Sequence, residues 1–129
     1  MRVLVVDDDE FALLAVTSLV KKAGHSVLTA NNGATCLESL AEGTFMSEPC
    51  EVILLDYELG DMTALAVMQQ ICGRDANGAP QYPWLAGVDI VVVSGHQFNQ
   101  GYQEELKKLG VQKFWTKPVT MESIEGLCS

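Results

Sequence analysis

The chain has 129 residues, 48% of them hydrophobic, and a formal net charge of −9. This length suits one domain with a substantial core and leaves no room for a second. The acidic balance argues against direct contact with nucleic acid or an anionic membrane, both of which select a basic face, and no apolar run approaches the ~20 residues of a spanning helix.

In chain order, Val3-Leu4-Val5-Val6 reads as a first strand and ends on Asp7-Asp8. Asp9 can cap a first helix from Glu10 to about Ala23, stopped by Gly24. That helix carries Leu13, Val16 and Val20, more apolar surface than one core stripe requires. Val27-Leu28-Thr29-Ala30 is a second strand without a charged end, and Asn31-Asn32-Gly33 turns into a second helix bearing Ala34, Leu37, Leu40 and Ala41. Residues 43–49 read as an irregular insertion. Val52-Ile53-Leu54-Leu55 ends on Asp56, and Leu65, Met68 and Ile71 mark a third helix. The stretch from Gly73 to Gly87, with Pro80 and Pro83, is long for a helix-to-strand connection. It reads as a solvated loop or as an element presenting Tyr82 and Trp84 to a partner. Ile90-Val91-Val92-Val93 then ends on Ser94. Tyr102, Leu106 and Leu109 mark a fourth helix stopped by Gly110, Lys113-Phe114-Trp115-Thr116 ends on Lys117, and Thr120 caps a short fifth helix.

Nearly continuous apolar runs suit strands covered on both faces, and strands alternating with helices give a doubly wound parallel sheet. Such sheets bind ligands outside the carboxyl ends of their strands. Asp7, Asp8, Asp56, Ser94 and Lys117 are therefore expected to converge there. Two carboxylates about 4 Å apart repel by roughly 4 kcal/mol at an effective dielectric near 20. Lys117 supplies one compensating charge and a hard divalent cation such as Mg2+ supplies two. A phosphoryl group arriving at Asp56 would have its oxygens neutralised by the cation and Lys117, with Ser94 bonding one of them. Taken singly, each residue has a plainer explanation: Asp7 to Glu10 as a helix cap, Asp56 and Ser94-Gly95 as turns, and Lys117 before Pro118 as a surface lysine. Their joint order is what points to chemistry. Cys36, Cys50, Cys72 and Cys128 form no CxxC pair and have no His at metal spacing, so they read as reduced structural thiols.

Through VLVVDDDE, VILLDYELGDM, VVVSG and FWTKP, in that order, the chain resembles the response regulator receiver domain of two-component phosphorelay signalling over essentially all of its length. The resemblance implies a flavodoxin-like five-stranded parallel sheet in order 2-1-3-4-5 with five surrounding helices. It implies that Asp56 accepts a phosphoryl group from a phosphohistidine on a histidine kinase or histidine phosphotransfer protein. Asp8, Asp56 and the Glu58 backbone carbonyl would bind Mg2+, with Mn2+ as an alternative ion and Asp7 acting through water. Ser94 and Lys117 would contact the phosphoryl group, Pro118 would follow a cis peptide, and Phe114 would be the switch aromatic. Glu58 and His96 would tune phosphate lifetime. Phosphorylation would switch the surface of the fourth helix, fifth strand and fifth helix, on which a homodimer can also form. Residues 1–129 would be a single receiver, cytoplasmic, cut from a larger regulator or hybrid kinase with a fused output or kinase domain, or standing alone. Such a domain is a phosphoacceptor with self-catalysed phosphotransfer and dephosphorylation at most, not an enzyme. The chain departs from the family's Leu-Pro-x-Met-Asp-Gly run at Leu59-Gly60-Asp61-Met62-Thr63-Ala64, where Gly60 replaces the proline that would stiffen the loop.

Two other readings compete. A haloacid dehalogenase-like phosphatase would use Asp7 as nucleophile and Asp9 as acid/base, but Phe11, the missing late acidic pair and an idle Asp56 count against it. A receiver-like interaction module that never switches would use only its helical surfaces.

Overall fold

The computed structural model describes residues 1–95 and 100–127. Five strands, β1 (Arg2–Val6), β2 (Ser26–Ala30), β3 (Val52–Asp56), β4 (Asp89–Ser94) and β5 (Lys113–Thr116), form one sheet in the order β2-β1-β3-β4-β5. Every pairing is parallel, with Val3 opposite Val27 and Val52, Leu54 opposite Val91, and Val93 opposite Trp115. Burial follows position. All five residues of β3 are buried, as are four of the five in β1, whereas the edge strands β2 and β5 are mostly exposed or half-buried. The unbroken apolar runs thus become the central strands, covered on both faces.

The helices among the described residues are α1 (Glu10–Lys22), α2 (Gly33–Leu40), α3 (Glu42–Ser47), α4 (Ala64–Ile71), α5 (Gln100–Lys108) and α6 (Met121–Gly126). On one face Val3, Val5, Leu54, Val91 and Val93 pack with Val20 of α1 and Ile124 of α6. On the other, Leu4, Val6, Ile53, Leu55 and Val92 pack with Cys36, Leu40, Val67, Met68 and Leu106. Local chemistry sets the boundaries. Asp9, Asn32, Thr63 and Thr120 cap α1, α2, α4 and α6 by accepting first-turn amides. Gly24 and Gly110 leave α1 and α5 at φ +89° and +105°, where a side chain would be strained.

The structure corrects three sequence readings. Residues 43–47 are helical, not irregular, and of that stretch only residues 48–49 lie outside a helix or strand: Ala41 is extended, ends α2, and starts α3, whose Phe45 enters the core at 6% exposure. Among the described residues six helices therefore surround the sheet instead of five. The stretch 73–87 is solvated, as read, with residues 74–81 all exposed, but it is held by its own hydrogen bonds and does not display outward rings. Asp75 Oδ1 accepts the amides of Asn77 and Ala79, Arg74 donates to the Gly78 carbonyl, and Pro83–Leu85 forms a 3-10 turn. Tyr82 and Trp84 lie against the core, and the Trp84 indole donates to the Leu40 carbonyl at 2.8 Å. On α1, Leu13 and Val16 turn toward the sheet and Val20 is fully buried, so the surplus apolar surface lies elsewhere, on Phe11 (83% exposed) and Leu14 (60% exposed).

Candidate functional site

β1, β3 and β4 end side by side, so the residues at their carboxyl ends face one cleft. Asp7 and Asp8 follow β1, Asp56 closes β3, Ser94 closes β4, and Lys117 follows β5. Backbone hydrogen bonds continue the sheet into this edge: Asp7 N–H donates to the Ala30 carbonyl, Tyr57 N–H to Val93 and Lys117 N–H to Ser94. The Lys117–Pro118 peptide bond is cis.

Asp7, Asp56 and Ser94 are buried to 4%, 7% and 7% exposure, whereas Asp8 is exposed. One oxygen from each of Asp7, Asp8 and Asp56 falls within a group whose atoms lie within 4.8 Å of one another. Lys117 Nζ donates to Asp7 Oδ2 at 2.9 Å and to Asp56 Oδ2 at 3.4 Å, while Asp7 Oδ1 accepts the Asp9 amide. Burial, reinforced by the neighbouring Asp7 charge and only partly opposed by Lys117, pushes the Asp56 carboxyl up to about 7. Burial lowers the Lys117 ammonium, but its bonds and attraction to Asp7 and Asp56 outweigh that and leave it above its ordinary value. Three carboxylates with one ammonium form a charge-deficient cluster. An all-oxygen donor set with one exposed member fits a hard divalent cation that keeps part of its water.

Two clefts meet at this cluster. One, of about 420 Å3, opens outward past Asp8, Glu58, Gly60, Ser94 and Lys117, with the exposed Glu58 at its rim. The other, of about 380 Å3, is nearly apolar and runs between α1 and the turn Lys117-Pro118-Val119, where Ala12, Ala15 and Val16 face Pro118 and Val119. Phe114 is half-buried on the α5 side of the sheet, with Lys107 Nζ 5.9 Å from its ring centre. His96 and Cys128 lie outside the described residues. Asp9, whose carboxylate accepts the amides of Phe11 and Ala12, serves as a helix cap.

Two features of the site were not read from the sequence. Tyr57, which follows Asp56, packs its ring 5.6 Å from that of Tyr102 and so links the loop after β3 to α5. Asp61 reaches across to α2, where its carboxylate accepts the amides of Gly33 and Ala34. The departure of residues 59–64 from the common motif was the available signal for the second. Nothing in the sequence marked the first.

Fold and site together define a doubly wound α/β domain with an acidic, cation-compatible carboxyl edge. The family model for the response regulator receiver domain matches residues 3–128, and the chain belongs to that family. It is accordingly a receiver domain of two-component signalling. Over 119 residues it is 29% identical to the sensory/regulatory protein RpfC of Xanthomonas campestris pv. campestris, covering 92% of this chain and 15% of that protein. Over 121 residues it is 32% identical to a protein-glutamate methylesterase/protein-glutamine glutaminase of Archaeoglobus fulgidus, covering 92% of this chain and 30% of that protein. The chain thus spans less than a third of either relative's length. A CheY-like receiver domain structure from Methanospirillum hungatei superposes with a TM-score of 0.78 at 19% identity, over 98% of this chain and 89% of that one.

Proposed function

We propose that this chain is a phosphoacceptor that takes a phosphoryl group from a phosphohistidine onto Asp56. The observation that carries the reading is the convergence of Asp7, Asp8 and Asp56 beside Lys117 at the carboxyl edge of the sheet. Asp8, Asp56 and the Glu58 carbonyl would hold Mg2+ or Mn2+, with Asp7 acting through water; when bound, the cation offsets carboxylate repulsion and charge on the phosphoryl oxygens. An Asp56 oxygen attacks phosphorus, the phosphorus–nitrogen bond of the donor breaks, and the imidazole leaves and takes up a proton. Lys117 orients Asp56 beforehand and binds a phosphoryl oxygen afterwards, and Ser94 bonds another. Glu58 and His96 would tune the lifetime of the acyl phosphate, as the family resemblance implies.

The switch would run from Ser94 and Phe114 to the surface of α5, β5 and α6, which are the fourth helix, fifth strand and fifth helix of the sequence reading. A homodimer on that surface and a fused output or kinase domain belong to the same reading. Residues 1–129 would then act as one cytoplasmic receiver unit within a longer regulator or hybrid kinase. Incubation with acetyl phosphate tests the reading: wild type should gain one phosphate by intact mass only with Mg2+, and Asp56→Asn none. A phosphate retained by Asp56→Asn would overturn it.

The donor, a histidine kinase or histidine phosphotransfer protein, would dock on α1, because Phe11 and Leu14 are exposed on the helix whose Ala12, Ala15 and Val16 line the apolar cleft. Leu14→Glu should slow transfer from such a donor by roughly tenfold, the effect of losing one apolar contact and desolvating a charge, while uptake from acetyl phosphate stays unchanged. Equal slowing with both donors would contradict this surface.

A further inference from the structure

The loop between β3 and α4 carries Glu58 but has glycine where its family commonly has proline. It closes on itself through an antiparallel bridge from Glu58 to Thr63, with the Leu59 amide donating to the Met62 carbonyl at 3.0 Å. Gly60 takes φ +78°, a conformation closed to proline, and a Cβ there would lie 3.4 Å from Asp8 Oδ2. The loop backbone therefore lies directly against one of the acidic side chains of the cluster. Asp61 anchors this loop outside itself. Its Oδ1 accepts the Gly33 amide at 2.9 Å and its Oδ2 the Ala34 amide at 3.0 Å, 28 and 27 residues away in sequence. Both amides belong to the first turn of α2 and differ from the Thr35 amide capped by Asn32. Met62 reinforces the joint, since any Cβ at Gly33 would fall 2.2 Å from Met62 Cγ. α2 is itself fixed by Cys36 and Leu40, both fully buried.

We propose that Asp61 is a positioning residue for cation binding: it bolts the loop bearing Glu58 and Gly60 to α2 and so sets the Glu58 carbonyl and Asp8 for the metal. The inference rests on reading Asp7, Asp8, Asp56 and the Glu58 carbonyl as the Mg2+ site. Its physical content is that a loop freed by glycine regains a fixed geometry from two charge-assisted hydrogen bonds to backbone amides. The Gly33 and Ala34 amides hold the Asp61 carboxyl below its ordinary value, as expected where the charged form makes those bonds.

The test is the Mg2+ dissociation constant, measured by calorimetry on wild type, Asp61→Ala, Asp61→Asn and Asn32→Ala, with thermal unfolding and amide hydrogen exchange on the same samples. Asp61→Ala should weaken Mg2+ binding by roughly tenfold or more, as removal of groups that orient metal ligands does. Asp61→Asn keeps one acceptor oxygen and should fall between it and wild type. It also supplies the comparison if the alanine variant does not fold. Asn32→Ala removes the local cap of the same helix and should lower thermal stability while leaving Mg2+ affinity close to wild type. Faster exchange at Gly33, Ala34 and residues 58–62 should accompany the Asp61 variants. Unchanged affinity in the Asp61 variants, or equal weakening in Asn32→Ala, would overturn the proposal by reducing Asp61 to a helix cap. Wild type that binds no Mg2+ would instead overturn the cluster reading itself, and the role of Asp61 with it.

Discussion

Without Mg2+, Asp56→Asn should be more stable than wild type by about 2 kcal/mol at pH 8, with the advantage gone near pH 4. The reason is that the folded protein holds Asp56 at about 7, against an ordinary value of 3.8, through burial and the charge of Asp7. Below 3.8 the carboxyl is protonated in both states and carries no penalty. Between the two values the folded state holds a proton that the unfolded state has lost, so stability falls as pH rises and levels off above 7. A window of about 3 pH units at 1.36 kcal/mol each sets an upper limit near 4 kcal/mol. Asp7 and Lys117 share the titration and spread it, so about half is expected. Asparagine carries no charge and removes this slope. Urea unfolding followed by tryptophan fluorescence at pH 4, 6 and 8 measures it; equal slopes in both proteins would contradict the strained carboxylate. Saturating Mg2+ should narrow the difference, because the cation binds the folded wild type better than a variant lacking one carboxylate.

Lys117→Met should act in the opposite direction. The methionine keeps most of the stem but leaves Asp7 and Asp56 buried without their ammonium partner. Removing one member of a buried pair costs about 3–5 kcal/mol. The Lys117 side chain keeps 28% of its exposure, so solvent screening reduces the expected loss to about 2 kcal/mol at pH 8. Mg2+ should recover much of it by supplying the missing positive charge. Phosphoryl uptake from acetyl phosphate should slow by roughly tenfold or more, since a donor aimed at developing phosphoryl charge is lost. Denaturant unfolding with and without Mg2+, together with the uptake rate, checks both arms. A variant as stable as wild type without Mg2+ would show that Lys117 does not compensate the cluster.

The central strands were legible because burial on both faces leaves only apolar β-formers at residues 3–6, 52–55 and 90–93. The caps at Asp9 and Thr120, and the stops at Gly24 and Gly110, were legible because each depends on one residue's own chemistry. Features set by tertiary contacts were not. α3 looked irregular because Gly43 and Pro49 mask a continuing apolar spacing at Leu37, Leu40, Ala41 and Phe45, and Phe45 needs the core beneath α2 to hold its turn. Tyr82 and Trp84 looked outward-facing because the Leu40 carbonyl that receives the Trp84 indole lies 44 residues away. The apolar excess of α1 was legible as an excess, but the choice of buried side depends on where α6 and the sheet lie. In the site, the acidic cluster and Lys117 followed from strand ends in parallel register. The Asp61 anchor required knowing that the loop after β3 reaches the start of α2.

The most direct measurement is to trap and locate the acyl phosphate. Wild type incubated with acetyl phosphate and Mg2+ is treated with borohydride, which reduces an aspartyl phosphate to homoserine, and the modified residue is mapped by peptide mass. The phosphoacceptor reading predicts homoserine at position 56 alone, dependent on Mg2+. Modification at Asp7, or none in folded protein that binds Mg2+, would contradict it, the first reviving a phosphatase built on Asp7 and the second a module that never takes up phosphate.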